Sequence, residues 1–483
     1  MKDESLTLLR IIADMEPRAP SFLASIGATV IARRISTGSM KAMPVKTLLH
    51  NDPGFYLSTS DFEFYVDETA IERLIEQFPS LLAVKTPNPS TAAIVGAPSL
   101  DPAQPTPAGK ADATPASTPA PDMPPNFGPE YSEIRELSAS ELLELVSGHV
   151  QLMESLGKKS TPEKVAEVLN EASASTALAN KAAIEQAIQM TGTEAKRYTQ
   201  ELAKATESMV VATQTLLEQY FYKGNTTSLL VQKSNGTVVQ HIARVFLLGF
   251  SFLLYYNEQY KTTSMSSQLR SRFAGKYRNF YRPLLPHLEK HELTLERVFY
   301  NGMRSLTFPE IRTSAVGYLL HDIGKAEDIE YHEGEAGYNR EIITKHVTLG
   351  YKAIMERSAY PREAAVITGY HHEYYGDPAG YGYFRELLPA FLKINPKARI
   401  EYLVSYELEP LLAFQVIAYF PVKMLEVVDV FDSLTDHNRL YRKALSPAQA
   451  IETMHKDFTM ESLRLDPIIL DLFESFLTDR GII

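Results

Sequence analysis

The chain has 483 residues, of which 45% are hydrophobic and 22% are charged, as is usual for a globular protein of two or three domains. Its formal net charge of −11 argues against a sequence-independent binder of nucleic-acid polymers, because such a protein presents a basic face to the phosphates. The chain has no cysteine, so disulfides, thiolate zinc sites and cysteine nucleophiles are excluded, and any metal site must use His, Asp, Glu and water.

Residues 1–85 have the pattern of a small α+β domain. Apolar side chains alternate along Phe62–Val66, which predicts a strand. The apolar residues that follow are spaced as on one face of a helix: Ile71, Leu74, Ile75 and Phe78. No chemical motif occurs here, and we expect a regulatory or interaction role.

The next two segments differ sharply in composition. Residues 86–130 are rich in Pro and Ala and cannot bury enough apolar surface to offset the entropy of ordering, which predicts a disordered linker. Residues 131–220 are rich in helix-forming residues and have helix-start signals at Ser138 and Thr161, which predicts a helical connector. Homodimerisation, or binding of a signalling partner, is expected through this connector or residues 1–85.

The sequence carries no signal for export or for a membrane span. Residues 1–5 lack a basic region followed by an apolar core, so no signal peptide is expected. The longest apolar run, Val245–Tyr256, is too short to cross a bilayer and indicates a core helix. We therefore expect a cytoplasmic protein without membrane insertion.

The strongest chemical signal is the pentapeptide His321-Asp322-Ile323-Gly324-Lys325, which follows the apolar run Ala315–Leu320. Burying a histidine and an aspartate at the end of an apolar helix costs free energy unless another group pairs with them. A metal ion accepts a neutral imidazole and an ionised carboxylate together, whereas the alternative is a capped helix end with a hydrogen-bonded histidine. The pentapeptide alone leaves both interpretations open.

Four other stretches of residues 221–483 also place His or Asp on or beside apolar helices. In chain order the five stretches form the pattern H, HD, H, HH and D, and the residues are His241, His321, Asp322, His346, His371, His372 and Asp429. With His321-Asp322-Ile323-Gly324-Lys325 and His371-His372-Glu373 in full, residues 221–483 resemble the HD-GYP family of metal-dependent phosphohydrolases. The resemblance implies an all-helical domain that hydrolyses the bacterial messenger cyclic di-GMP at a metal cluster, in a protein that is mainly α overall.

The resemblance also assigns roles to residues. The seven His and Asp residues of the pattern would be metal ligands, with Asp322 bridging two metals. A set of N and O ligands suits two divalent transition metals, iron or manganese, rather than a closed tetrahedral zinc. Two such ions about 3.5–4 Å apart can clamp a phosphodiester for in-line attack. Lys325 would offset charge on the phosphoryl oxygens, as a catalytic residue together with Asp322.

Substrate contacts are expected from a segment that resembles the family's Arg-Pro-Tyr-Arg motif. It is Arg439-Leu440-Tyr441-Arg442 here, so Arg439 and Arg442 would contact phosphate and guanine. The alternative for either arginine is a solvated helix end.

The chain departs from the family pattern at several positions. The Gly-Tyr-Pro triplet is Gly380-Tyr381-Gly382, and the glycine in place of proline is expected to make the loop more flexible. Thr237 stands where some members have a glutamate for a third metal, which predicts a binuclear site. Long insertions, roughly 262–298 and 384–415, would reshape access to the site.

Two alternatives to cyclic di-GMP hydrolysis remain. The first is a phosphohydrolase that acts on another cyclic dinucleotide or nucleotide, which the altered triplet would allow. The second is a sensor or docking module that binds cyclic di-GMP or metal without turnover, although it would not need every ligand together with Lys325.

Overall fold

The computed structural model describes most of the chain. The described residues are 7–9, 18–34, 40–46, 62–66, 68–78, 129–156, 160–221, 226–230, 238–300, 302–325, 340–376, 380–396, 398, 400–437 and 443–483. They belong to two compact units, 1–117 and 118–483. Of the linker expected at 86–130, residues 86–128 lie outside the described residues.

The described residues of the unit 1–117 form β1 (Thr7–Leu8), α1 (Ala19–Ser25), β2 (Thr29–Arg34), β3 (Met40–Pro44), β4 (Phe62–Val66) and α2 (Glu68–Gln77). The unit 118–483 is mainly helical. Its helices before the pentapeptide are α3 (Pro129–Arg135), α4 (Ala139–Ser155), α5 (Pro162–Ile188), α6 (Gly192–Leu216), α7 (Val238–Thr262), α8 (Met265–Arg272), α9 (Arg278–Tyr281), α10 (Leu295–Val298) and α11 (Phe308–Leu320). Its later elements are α12 (Arg340–Arg357), α13 (Arg362–Tyr370), α14 (Tyr383–Ile394), β5 (Glu401–Ser405), α15 (Leu408–Leu412), β6 (Val416–Tyr419), α16 (Phe420–Thr435), α17 (Pro447–His455) and α18 (Pro467–Asp479).

The first unit is an antiparallel sheet with helices. The strand order is β1-β4-β2-β3, and β4 and α2 lie where the sequence pattern predicts a strand and a helix. The core contains Val30, Phe64, Val66 and Leu74, since alternate residues of a strand point to the same face and meet the apolar face of α2.

The second unit is built around α7. This helix is buried on nearly all sides and packs against α5, α11 and α16. Among the described helices it is the one long and apolar enough to pass as a membrane span, but 83% of its most apolar window is buried in the protein. A helix that is apolar all round belongs in a core, and α7 is the core helix of this unit.

Residues 131–220 do not form a separate connector. Their helices α5 and α6 share one hydrophobic core with the helices after residue 221, and α5 is buried along most of its length. Buried polar contacts join the two parts: the Asn180 amide donates to Thr206 Oγ1 over 2.9 Å, and the Tyr360 hydroxyl contacts both residues. The boundary expected near residue 221 is therefore wrong, because apolar faces on both sides of it are buried against each other.

The expectation of an all-helical domain needs one correction. Strands β5 and β6 form a parallel two-stranded sheet within the insertion at 384–415 and just after it, with α15 as the crossover. The strand residues are mostly buried and include Leu403, Val404, Val416 and Ile417. These β-branched and apolar residues favour a strand, whereas the mainly helical class of the chain is confirmed.

We predict that a chain beginning at residue 221 will not fold. Removing α3–α6 exposes the faces of α7, α11 and α12 that α5 and α6 bury in the intact unit. Circular dichroism and thermal melting should show no cooperative transition for residues 221–483, whereas a matched chain of residues 118–483 should melt cooperatively. A cooperative melt of the shorter chain near the temperature of the longer one would contradict this prediction.

Candidate metal centre

Five helices bring the seven predicted ligands to one place in the interior. His241 lies on α7, His346 on α12 and Asp429 on α16. The two pairs, His321-Asp322 and His371-His372, follow directly after α11 and α13. All seven residues are buried, so the order of motifs in the sequence corresponds to one cluster in space.

Local sequence explains where α11 ends. A capping box between Thr307 and Glu310 begins the helix, and its apolar run ends at Leu320. The chain then turns, and the amide of Lys325 donates to the carbonyl of Asp322 over 3.0 Å. Gly324 is required here because a Cβ at this position would collide with the backbone carbonyl of His346 on α12. The turn therefore holds His321 and Asp322 directly against α12.

The Asp322 carboxylate lies between two sets of histidines. Its Oδ2 is 3.4 Å from Nε2 of both His241 and His321. Its Oδ1 is 3.3 Å from Nε2 of His346 and 3.6 Å from Nε2 of His371. Each carboxylate oxygen thus faces a different pair of imidazoles.

The remaining ligands complete two groups around this carboxylate. The first group is His241, His321 and Asp429, and the second is His346, His371 and His372. Within each group the candidate ligand atoms lie within 4.8 Å of one another. The predicted ligands therefore separate into two groups of three, with Asp322 next to both.

Hydrogen bonds fix which ring nitrogen of the histidines faces the centre. His321 Nδ1 donates to the carbonyl of Tyr318 over 2.8 Å, and His371 Nδ1 donates to that of Thr368 over 2.7 Å. The proton is on Nδ1, so Nε2 presents a lone pair to the centre, as a metal ligand requires. His321 Nε2 and Asp322 Oδ1 are buried and make no hydrogen bond within the described residues, and a cation would satisfy both.

The charge states also suit a metal. Burial alone would raise the pKa of Asp322, but the Lys325 ammonium and His321 outweigh it and hold that pKa well below its usual range. Asp429 is likewise held well below its usual pKa, mainly by His241 acting against burial. Burial and the neighbouring His371 lower the pKa of His372 well below its usual range. Ionised carboxylates and a neutral imidazole are the forms that bind a metal, so these residues fit divalent cations.

A second layer of the centre was not predicted from the sequence. Asp432 accepts a hydrogen bond from His241 Nδ1 over 2.7 Å, and Arg244 donates to both Asp432 oxygens over 2.7 and 2.9 Å. Burial opposes ionisation, but Arg244 and His241 lower the pKa of Asp432 to about 2. A carboxylate behind a histidine ligand fixes its tautomer and orientation. The signal was available, because Asp432 and Arg244 each lie three residues after a ligand, on the same helix face.

A buried ion pair lies behind the second group of ligands. The Glu373 carboxylate accepts from Arg385 Nε over 2.5 Å, and Lys423 Nζ donates to the Glu373 carbonyl over 2.5 Å. Gly382 lies against the same carboxylate, which a Cβ at that position would strike. The backbone φ of Gly382 is −61°, which every residue adopts, so the expected gain in loop flexibility is not the reason for this glycine. Glycine is needed at this position because it leaves room for the Glu373 side chain.

The predicted catalytic lysine contacts the centre directly. Lys325 Nζ donates to Asp322 Oδ2, and its side chain is 22% exposed. Lys325 lies past the end of α11, in the turn. Arg439, Arg442 and Thr237 lie outside the described residues.

An open cleft lies beside the second group of ligands. Its volume is about 500 Å³, and its lining includes Lys345, Tyr381 and Arg385. The Tyr381 ring is 4.4 Å from the His372 ring and 6.0 Å from the His346 ring. The cleft thus approaches the histidines from the protein surface, and a volume of this size accommodates a small-molecule ligand.

Comparison of the chain with protein-family models, with curated proteins and with solved structures found no match.

Metal binding to the purified metal-free protein should strengthen as pH rises. Burial lowers the pKa of His241, but hydrogen bonds to Asp322, Asp429 and Asp432 outweigh it and raise that pKa to about 10. Below pH 10 His241 therefore holds a proton that a metal must displace, so affinity for the ion bound there should rise about tenfold per pH unit. Calorimetric titration with Mn²⁺ between pH 6 and 8, in two buffers of different ionisation enthalpy, measures both affinity and proton release.

A matched control for this titration is His287→Ala, because His287 pairs with Glu401 near the surface and belongs to no group of candidate metal ligands among the described residues. The His287 variant should titrate like the wild type. Affinity that is independent of pH, without proton release, would contradict the assignment of His241.

Proposed function

We propose that the chain is a metal-dependent phosphohydrolase that uses two divalent transition metal ions, iron or manganese, to hydrolyse cyclic di-GMP to a linear dinucleotide, GMP or both. The observation that carries the proposal is the position of Asp322. A carboxylate whose two oxygens face different histidine pairs is suited to bridge two cations. Asp429 approaches one histidine of each group, with Oδ1 3.2 Å from His241 Nε2 and Oδ2 3.9 Å from His372 Nδ1, whereas Asp322 approaches two histidines of each group.

The ligand types support the choice of metal. Five imidazoles and two carboxylates are N and O donors that suit divalent iron or manganese, and the chain has no cysteine to supply the thiolates that are common in structural zinc sites. His241, His321 and Asp429 would hold one ion, His346, His371 and His372 the other, and Asp322 both. When bound, two such ions polarise a phosphodiester and activate water for attack.

The chain's own residues would bind and orient the substrate. Lys325 places an ammonium beside the centre, where it can offset the negative charge that grows on phosphoryl oxygens. Tyr381 presents a ring next to the histidines, at the inner side of the cleft. Arg439 and Arg442 remain the proposed contacts to phosphate and guanine. The choice of phosphodiester hydrolysis and of cyclic di-GMP depends on the family resemblance, whereas the candidate two-metal centre depends on the geometry.

The decisive experiment is a product analysis. Protein loaded anaerobically with Mn²⁺ or Fe²⁺ should contain about two ions per chain and convert cyclic di-GMP to linear products that chromatography separates. Asp322→Asn preserves the volume of the side chain but removes the charge that attracts both cations, and turnover should fall by at least about 10³-fold. Asp457→Asn, an exposed position, is the matched control and should retain full turnover.

Each outcome distinguishes the alternatives. Hydrolysis of another cyclic dinucleotide in preference to cyclic di-GMP would change the proposed substrate but leave the proposed reaction, phosphodiester hydrolysis, in place. Tight binding of cyclic di-GMP without turnover, at full metal content, would indicate a sensor or docking module. Protein that takes up no metal would overturn the proposal altogether.

Lys325→Ala should separate chemistry from binding. The ammonium neutralises charge that increases between ground and transition state, so kcat should fall on the order of 10²-fold with little change in KM. Lysine is not a ligand, so metal content should remain at the wild-type value. Lys204→Ala, at a position whose side chain is 60% exposed, serves as the control. A change in KM alone, or loss of metal, would show that Lys325 has another role.

A further inference from the structure

A buried lysine on α5 contacts the pentapeptide turn from behind. The Lys181 side chain is only 5% exposed, and Lys181 Nζ donates to the backbone carbonyl of Lys325 over 2.6 Å. Its stem lines a cavity of about 10 Å³ together with Ile242 and Ile323.

Lys181 is held in turn by α5 and α3. Lys181 Nζ is 2.8 Å from Glu185 Oε1, one turn further along α5, and 5.7 Å from the centre of the Tyr131 ring on α3. The Tyr131 hydroxyl donates to Glu185 Oε2 over 2.6 Å, and Tyr131 is fully buried. A buried ammonium needs compensating partners, and among the contacts described the Tyr131 ring comes from α3 and Glu185 is held by the Tyr131 hydroxyl.

The end of α3 is fastened to the same part of α5. Gln186 Nε2 donates to the carbonyls of Arg135 and Leu137, over 3.1 and 2.9 Å. Helix α3 therefore docks on α5 through contacts at Glu185, Gln186 and Lys181. A displacement of α3 would remove partners from the Lys181 ammonium.

We propose that Lys181 is a positioning residue for Lys325 and that the docking of α3 regulates the site through it. A series of contacts runs from Tyr131 through Glu185 and Lys181 to the backbone carbonyl of Lys325. The side chain of Lys325 in turn contacts Asp322. In the sequence, α3 directly follows the Pro-rich segment that joins it to the unit 1–117. Any force or binding event that reaches α3 along the chain would act on the turn. The catalytic part of this inference rests on the proposed function.

The test compares two kinds of substitution at one position. Lys181→Met retains the length and apolar stem but removes the ammonium, whereas Lys181→Arg retains the charge. In full-length protein with metal bound, Lys181→Met should speed amide hydrogen exchange in residues 321–325 by about tenfold, because the Lys325 carbonyl loses a charged donor. The Val245–Tyr256 segment of α7 is the internal reference and should be unchanged.

Kinetics then distinguish positioning from simple stabilisation. Lys181→Met should lower kcat about tenfold, with KM within about twofold and metal content unchanged, and Lys181→Arg should restore most of kcat. Lys164→Met is the matched control on the same helix, since Lys164 is exposed and pairs only with Glu167 among the contacts described. It should alter neither exchange nor kcat.

A milder variant tests the contribution of α3 and covers the case in which Lys181→Met fails to fold. Tyr131→Phe keeps the ring and removes the hydroxyl that donates to Glu185, and it should speed exchange in residues 321–325 and lower kcat by a smaller factor in the same direction. A lower melting temperature with unchanged exchange in the turn and unchanged kcat would overturn the inference. If the wild type hydrolyses no cyclic dinucleotide, the proposed function fails, but hydrogen exchange still decides whether Lys181 and α3 hold the turn.

Discussion

The structure of the second unit depends on how one buried carboxylate is compensated. Asp322 is 1% exposed and lies within 3.6 Å of four imidazoles from four different helices or helix ends. Moving an ionised carboxylate out of water costs several kcal/mol unless partners replace the solvent. Those partners can meet only if α7, α11, α12 and α13 converge at one point. The packing of these helices and the compensation of the Asp322 charge therefore depend on each other.

The centre is made rigid by hydrogen bonds that come from outside the ligand set. Two histidines are oriented by carbonyls of their own preceding helices, and His241 is oriented by Asp432, which Arg244 holds on its other side. These contacts fix the tautomers before any metal binds. The candidate ligand atoms of both groups are therefore gathered and oriented by the protein's own contacts.

The seven residues that the structure gathers in one buried cluster could be picked out from the sequence because each motif is local, with a His or Asp on or at the end of an apolar helix. Asp432 and Arg244 were missed, although each follows a predicted ligand by one helical turn, because their pairing joins two helices that are distant in the sequence. The contact between Lys181 and Lys325 spans 144 positions of the chain, and nothing in either local sequence indicates it. The connector was misjudged for a related reason. Amphipathic helices look alike in sequence whether they stand alone or bury their apolar face against a distant part of the chain.

Two glycines show how backbone space, more than backbone flexibility, shapes this centre. Gly324 allows the pentapeptide turn to lie on α12, and Gly382 allows the loop before α14 to lie on Glu373. At Gly382 the φ of −61° would suit proline, so the obstacle to a proline there is the Glu373 carboxylate. That carboxylate pairs with Arg385 and directly follows His372, and burial raises the pKa of Glu373 to about 7 even though Arg385 opposes the shift. The glycine, the glutamate and the arginine therefore act as one unit. A proline ring includes a Cβ, and a Cβ at position 382 would strike the Glu373 side chain, so this packing requires glycine there.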